Sequence, residues 1–223
     1  MAHFLNFLSN HSEVHYLFVN DGSSDDTQRI LEELCKTTDR AQVLQLESNS
    51  GKAEAVRQGM NRCFEQSFDF VAYWDADLST PLEELPRFLS VMNEKPEINI
   101  VTGARVKLVG RWIDRQRRRH YTGRIFATAV SVLLDIDLYD TQCGAKLFRA
   151  IPEVTHIFEK PFLSKWIFDV ELLARYREKR DLFSELVELP LMQWRDVGGS
   201  KIKLRDFLTA PLELLRIRSA FKN

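Results

Sequence analysis

The sequence predicts an α/β domain with a mostly parallel sheet flanked by helices, and three observations carry that prediction. Short apolar runs stop abruptly at polar turn residues. Each run is followed by a stretch whose apolar residues recur at helical spacing, so strand and helix alternate through the first half. Neither an internal repeat nor a low-complexity linker divides the 223 residues, which therefore read as one domain, 1–223.

Phe4, Leu5, Phe7 and Leu8 share a helical face, so the chain enters in mid-helix. Residues 14–19 form an apolar, β-branched and aromatic strand that ends at Asn20-Asp21-Gly22-Ser23-Ser24. Asp25 or Asp26 can cap the next helix, whose apolar positions Ile30, Leu31 and Leu34 share a face. Residues 41–46 are a second strand, and Asn49-Ser50-Gly51-Lys52 leads into a helix through Ala53, Val56, Met60 and Phe64. A third strand, 68–74, ends at Asp75-Ala76-Asp77. Pro81 opens a helix through Leu85, Phe88, Leu89 and Met92, and 98–102 is a fourth strand. The second half reads as more helical, over 121–134, 169–177 and 204–221, with Asp169 as a cap and Glu171 in the first turn.

Composition narrows the function. The net charge of −1 gives no whole-molecule attraction to nucleic acid, and no groove-binding motif is present. Charge is unevenly placed, however: residues 105–124 hold eight Lys and Arg against the single acid Asp114. Cys35, Cys63 and Cys143 form neither a CxxC pair nor an even set, which points to a reducing, cytoplasmic compartment and away from a zinc site. No signal peptide is visible. The longest nearly apolar stretch, 125–134, is half of the roughly 20 residues a spanning helix needs.

Asp75-Ala76-Asp77 stands at the carboxyl end of a strand, where open α/β sheets bind ligands. Two carboxylates one residue apart there can share a hard divalent cation, Mg2+ or Mn2+, whose shell diphosphate oxygens complete; the other reading is a solvated turn. Asp21, at the end of the neighbouring strand, can accept hydrogen bonds from a base or ribose, or belong to a turn and N-cap. No GxGxxG or Walker loop follows a strand, against a nicotinamide dehydrogenase or a P-loop ATPase. Arg117, Arg118 and Arg119 can grip a phosphate through paired N–H donors, or form a solvated face. The helix at 121–134, with Ile125, Phe126, Ala129, Val130, Leu133 and Leu134, is either a core helix or one lying at a membrane surface beside that basic run. The tail poses the same choice, with Phe207, Leu208, Leu212, Leu214, Leu215, Ile217 and Phe221 among Arg205, Arg216, Arg218 and Lys222.

The motifs, taken in order, resemble a family 2, GT-A-type (Rossmann-like, nucleotide-diphospho-sugar) glycosyltransferase. They are Val19 to Thr27, Asn49-Ser50-Gly51-Lys52, Asp75-Ala76-Asp77, Thr102-Gly103-Ala104-Arg105, Asp140-Thr141-Gln142-Cys143-Gly144, Lys146-Leu147-Phe148, Trp166 to Leu173, and Gly199-Ser200-Lys201. The branch they resemble is that of dolichyl-phosphate glucosyltransferases and mannose synthases. The D-T-Q-C-G-x-K-L-F and W-x-F-D-V-E-L-L strings look more like the glucosyltransferase.

The resemblance implies transfer of a sugar, glucose from UDP-glucose foremost, to a dolichyl- or undecaprenyl-type polyprenyl phosphate, with inversion and a Mg2+ or Mn2+ requirement. It implies an enzyme peripheral at the cytoplasmic face of a membrane. It assigns Asp21, Lys52, Asp75, Asp77 and Asp169 to the nucleotide sugar, and Asp75 and Asp77 to the metal. Arg105, Arg117, Arg118 and Gln142 fall to the acceptor phosphate, Asp77 and Asp140 are the candidate catalytic carboxylates, and Gly199-Ser200-Lys201 is a loop closing over the site. Cys143 reads as a small buried residue. The rivals are another donor or a sugar acceptor, or an inactive remnant acting as a binding module. The family's usual first strand, ending in P-x-Y-N-E, has no counterpart before Val14. The expectation is therefore an N-terminally truncated domain with two strand edges left unpaired and weakened nucleotide binding.

Overall fold

The computed structural model describes residues 2–114, 117–197 and 204–221, apart from the side chains of 117–120 and 204–208. The expectations for the Arg117, Arg118 and Arg119 side chains, for Gly199-Ser200-Lys201, and for Arg205, Phe207, Leu208 and Lys222 lie outside the described residues.

The first half follows the sequence pattern. Helix α1 (Ala2–Asn10) precedes β1 (Tyr16–Asn20), α2 (Thr27–Cys35), β2 (Ala41–Gln45), α3 (Lys52–Phe64), β3 (Phe70–Trp74), α4 (Leu85–Glu94) and β4 (Ile100–Ala104). Two local expectations shift. Asp26 holds the N-cap position of α2 without a side-chain cap bond, while Asp25 Oδ1 accepts from the Thr27 backbone N–H at 3.1 Å. Pro81 leads into a 3-10 turn, Leu82–Glu84, rather than into α4 itself.

The second half contains four strands that periodicity did not announce. It runs β5 (Trp112–Asp114), α5 (Arg117–Leu134), β6 (Ala145–Arg149), α6 (Pro152–Glu159), α7 (Phe168–Arg177), α8 (Leu182–Glu185), β7 (Leu186–Pro190), β8 (Gln193–Arg195) and α9 (Leu204–Ala220). Each of these strands is three to five residues long, and β6 carries Lys146 and Arg149 among its apolar residues. Partners distant in sequence, not local pattern, make them strands.

The central sheet has the order β3-β6-β4-β7. Strand β6 is antiparallel to both β3 and β4, and β4 and β7 are parallel, so one reversed strand lies inside an otherwise parallel sheet. Strands β1 and β2 pair in parallel as a separate ribbon, and β5 and β8 as another. Among the described residues β1 pairs only with β2 and β3 only with β6, which leaves one edge of each without a strand partner. Helix α3 packs on both β1 and β3, and Gly59 makes that approach possible: a Cβ there would lie 2.7 Å from Val19 Cγ2.

Alternating residues of the inner strands feed two cores. Ile100 and Phe148 face a cluster with Val130, Phe158, Phe168, Leu172 and Ile217, under α5, α6, α7 and α9. Val101 and Leu147 face the opposite cluster with Phe7, Phe88, Met92 and Trp194. Helix α5 divides its faces. Ala127, Val130 and Leu134 are buried, while Tyr121, Ile125 and Val132 are 66%, 72% and 75% exposed along one stripe. Helix α9 packs beside α5 and exposes Leu212 and Leu215.

A buried ion pair ties the helical layer together. Glu171 accepts from the Leu163 and Ser164 backbone N–H groups and pairs with Arg175 at 2.6 Å. Arg175 in turn donates to the carbonyls of Ile157, Lys160 and Pro161, each at 2.7 Å. Arg175→Met strands the Glu171 carboxylate and is expected to lower unfolding free energy by about 3–5 kcal/mol in urea titration. A loss under about 1 kcal/mol would show that the helices hold without the pair.

Candidate active site

The site forms where β3 ends. The Asp75 backbone N–H donates to Gly144 O at 2.8 Å, extending the β3–β6 ladder by one step beyond Trp74 and Ala145. Gly144 is required by what faces it, since a Cβ there would fall 1.9 Å from Asp75 Oδ2. The segment 140–144 therefore forms a strap whose Gly144 end lies directly against the Asp75 carboxylate.

Lys52, the first residue of α3, reaches the same carboxylate, with Nζ 2.6 Å from Asp75 Oδ1. Desolvation pulls its pKa down, but Asp75 first and then Asp169 outweigh that, so the ammonium is held above its ordinary value. Asp21 fixes the loop that delivers Lys52: its Oδ1 accepts from the Ser50 N–H and its Oδ2 from the Gly51 N–H, each at 2.8 Å. Gly22 and Gly51 have φ of +64° and +94°, and a Cβ on Gly22 would meet the Asn49 backbone nitrogen at 2.6 Å. Asp21 thus braces the Lys52 loop, a use of the carboxylate that the sequence did not suggest.

Asp77, two residues on, is exposed. Its Oδ1 accepts from the Ser79 N–H at 2.9 Å, and Leu78 turns the chain with φ +53°. Asp77 borders an open cleft of about 850 Å³ whose other walls include Glu83, Trp112, Asp114, Trp194 and Arg195. Among the described residues no three His, Cys, Asp or Glu side chains cluster as a metal cage. Asp75 and Asp77 nevertheless offer the hard oxygen donors that Mg2+ or Mn2+ takes, with diphosphate and water able to complete the shell once Lys52 releases Oδ1.

At the other end of the strap, Arg105 follows β4 and clamps Asp140 with Nε to Oδ2 at 2.5 Å and Nη2 to Oδ1 at 2.7 Å. The same guanidinium donates to Gln142 O at 3.1 Å and lies 5.4 Å from the Trp194 ring centroid. Burial opposes its charge, but Asp140 more than offsets this, so Arg105 is locked as a cation. Glu188, from β7, accepts the Tyr139 and Asp140 backbone N–H groups and anchors this end of the strap. Arg124 stacks 4.2 Å over Tyr139 and shares a small cavity with Arg105 and Gln142.

Asp169 corrects an expectation. The N-cap of α7 is Ile167, and Asp169 lies inside the first turn with a 3% exposed side chain. It is no cap, because its carboxylate turns inward to Lys146, with Nζ 2.5 Å from Oδ1, and to the Tyr73 hydroxyl.

Residues 2–152 match the family-wide pattern of glycosyl transferase family 2. The chain belongs to that family. The chain spans 60–64% of the length of the dolichyl-phosphate beta-glucosyltransferases it matches in Trichomonas vaginalis and Saccharomyces cerevisiae. A dolichyl-phosphate beta-glucosyltransferase of Trichomonas vaginalis is 28% identical over 210 residues, 92% of this chain and 60% of the relative. The dolichyl-phosphate beta-glucosyltransferase of Saccharomyces cerevisiae is 28% identical over 222 residues, 92% of this chain and 64% of the relative. A polyprenol monophosphomannose synthase of Mycolicibacterium smegmatis is 28% identical across 85% of this chain and 71% of its own.

The family 2 fold assignment is matched in space. Glucosyl-3-phosphoglycerate synthase of Mycobacterium tuberculosis, solved with Mn2+, UDP and glucosyl-3-phosphoglycerate, superposes with TM-score 0.61 at 18% identity, covering 93% of this chain and 68% of that one. The likeness establishes the GT-A architecture.

Sequence reading assigned no role to Lys146, Tyr73, Glu188 or Arg124. Lys146 stood in the D-T-Q-C-G-x-K-L-F string and Arg124 in the basic run, but the partner of Lys146 lies 23 positions away. Cys143 is fully buried, and burial pushes its thiol up to about 11. In the native protein at pH 8, iodoacetamide is expected to leave Cys143 unmodified by peptide mass mapping, and urea to expose it; native labelling would mean that the strap opens.

Proposed function

We propose that this family 2 chain transfers glucose from UDP-glucose to a polyprenyl phosphate of dolichyl or undecaprenyl type, with inversion. The observation that carries the reading is the strap: Asp75, itself paired with Lys52, meets it at Gly144, and Arg105 holds its other end at Asp140. Donor-side and acceptor-side charges therefore flank one short segment. The dolichyl-phosphate glucosyltransferase relatives support the lipid phosphate and the glucose donor.

An acceptor phosphate is already largely ionised near neutral pH, with a second pKa of about 6, so its oxygen attacks without a strong general base. The new bond forms between that oxygen and the anomeric carbon, and the bond to UDP breaks with its electron pair on the diphosphate. Lys52 orients the diphosphate, Asp21 holds the Lys52 loop in place, and Arg105 with Gln142 positions the acceptor. Asp75 and Asp77 would hold Mg2+ or Mn2+, which when bound neutralises charge developing on the leaving diphosphate. Arg117 and Arg118 would add to the acceptor side, and Asp169 acts on the donor side through Lys52. Asp140 stays paired with Arg105 and orients it.

The exposed stripe Tyr121, Ile125 and Val132, with Leu212 and Leu215 alongside, supports peripheral docking at a membrane, on its cytoplasmic face where the three free thiols are stable. No described helix is long and apolar enough to cross a membrane.

Incubating the chain with radiolabelled UDP-glucose, polyprenyl phosphate micelles and Mn2+ is expected to give lipid-extractable label that EDTA abolishes. Label from GDP-mannose alone would change the donor, label on a free sugar would change the acceptor, and none at all would leave a binding module. Asp75→Asn is expected to reduce transfer by at least about a hundredfold. Lys52→Met is expected to weaken UDP binding by about tenfold in calorimetry while strengthening Mn2+ binding without nucleotide, because Asp75 is freed. Unchanged UDP affinity in that variant would remove Lys52 from the donor site.

A further inference from the structure

Lys146 is fully buried at the middle of the central sheet, opposite Tyr73 on one side and Thr102 on the other. An ammonium has three N–H donors, and here all three are used. They reach Thr141 O at 3.1 Å, Cys143 O at 2.7 Å and Asp169 Oδ1 at 2.5 Å. The Tyr73 hydroxyl donates to the same Asp169 oxygen, and the Tyr73 ring lies beneath the ammonium at 5.4 Å.

Two of those three bonds grip the strap from below, at residues flanking Gln142. The third grips Asp169 of α7, next to Phe168, whose ring centroid lies 6.0 Å from the Lys52 ammonium. A buried ion pair is weak evidence for stability, since apolar residues of similar volume commonly serve a core as well or better. The Tyr73 ring under the ammonium packs on Phe148 and Phe168, so aromatic surface is at hand for an apolar side chain. What an apolar residue could not do is hold two carbonyls of one loop and one carboxylate of a distant helix at a single point.

We propose that Lys146 is a positioning residue. It sets the height of the 140–144 strap against Asp75 and the place of Asp169 behind Lys52, so that donor and acceptor charges keep one separation. The effect on turnover rests on the transferase reading above; the tether itself does not.

The test uses Lys146→Met and the double variant Lys146→Met/Asp169→Asn, which also removes the buried charge that the single change strands. Amide hydrogen exchange is followed by mass spectrometry, alongside thermal melting and steady-state transfer. In the double variant the melting temperature is expected to return near wild type, while exchange in a peptide spanning 141–145 accelerates by about tenfold or more. Its kcat is expected to fall by about a hundredfold with KM for the nucleotide sugar changed by less than about threefold, the signature of misplaced rather than lost contacts. Recovery of kcat together with melting temperature would make Lys146 merely structural. Wild-type exchange across 141–145 would overturn the tether. A wild-type chain that transfers nothing would instead sink the transferase reading, with the exchange result still deciding the tether.

Discussion

The arrangement depends on β6 entering the sheet backwards between β3 and β4. Because β6 runs antiparallel to both neighbours, the segment that precedes it arrives at the same end of the sheet where β3 and β4 finish. The carboxyl ends of two parallel strands and the amino end of one reversed strand then share one edge. Asp75, Arg105 and Gly144 sit there for that reason alone, and the ladder bond from Asp75 N–H to Gly144 O sets their separation.

Given that edge, the electrostatics follow a single pattern. Three cation–carboxylate pairs stand along the strap: Lys52 with Asp75, Arg105 with Asp140, and Lys146 with Asp169. Their burial rises in the same direction as their permanence. The Lys52 side chain is 47% exposed and can exchange partners, Arg105 is 16% exposed, and Lys146 is sealed at 0%. A pair near solvent is screened and cheap to break, whereas a buried one is costly to open once formed. The solvent-facing Lys52–Asp75 pair is the one that a competing anion can reach, and the two more buried pairs suit a fixed frame.

The α5–α9 face belongs to a different part of the molecule's chemistry. Half of α5 closes the core over Phe168 and Ile217, and the other half presents Tyr121, Ile125 and Val132 outward. The core reading of this helix therefore holds for its inner face, and its outer face is exposed. A period of 3.6 residues allows both, and an almost continuously apolar stretch cannot reveal from composition which face is covered.

The sequence by itself determined the alternating first half, the strand ends at Asp21 and Asp75, and the family, because these depend on local periodicity and contiguous motifs. It also marked Lys52, Asp75, Arg105, Asp140 and Gln142 as site residues, and the fold brings all of them to one strap. The tertiary structure alone decided the four short strands of the second half, since β5 to β8 draw their ladders from residues far along the chain. It also turned Asp169 from an expected cap into the partner of Lys146, and Asp21 into the brace of the Lys52 loop. A carboxylate's role is set by the donor it faces, and which donor that is depends on packing between segments that no window of sequence contains.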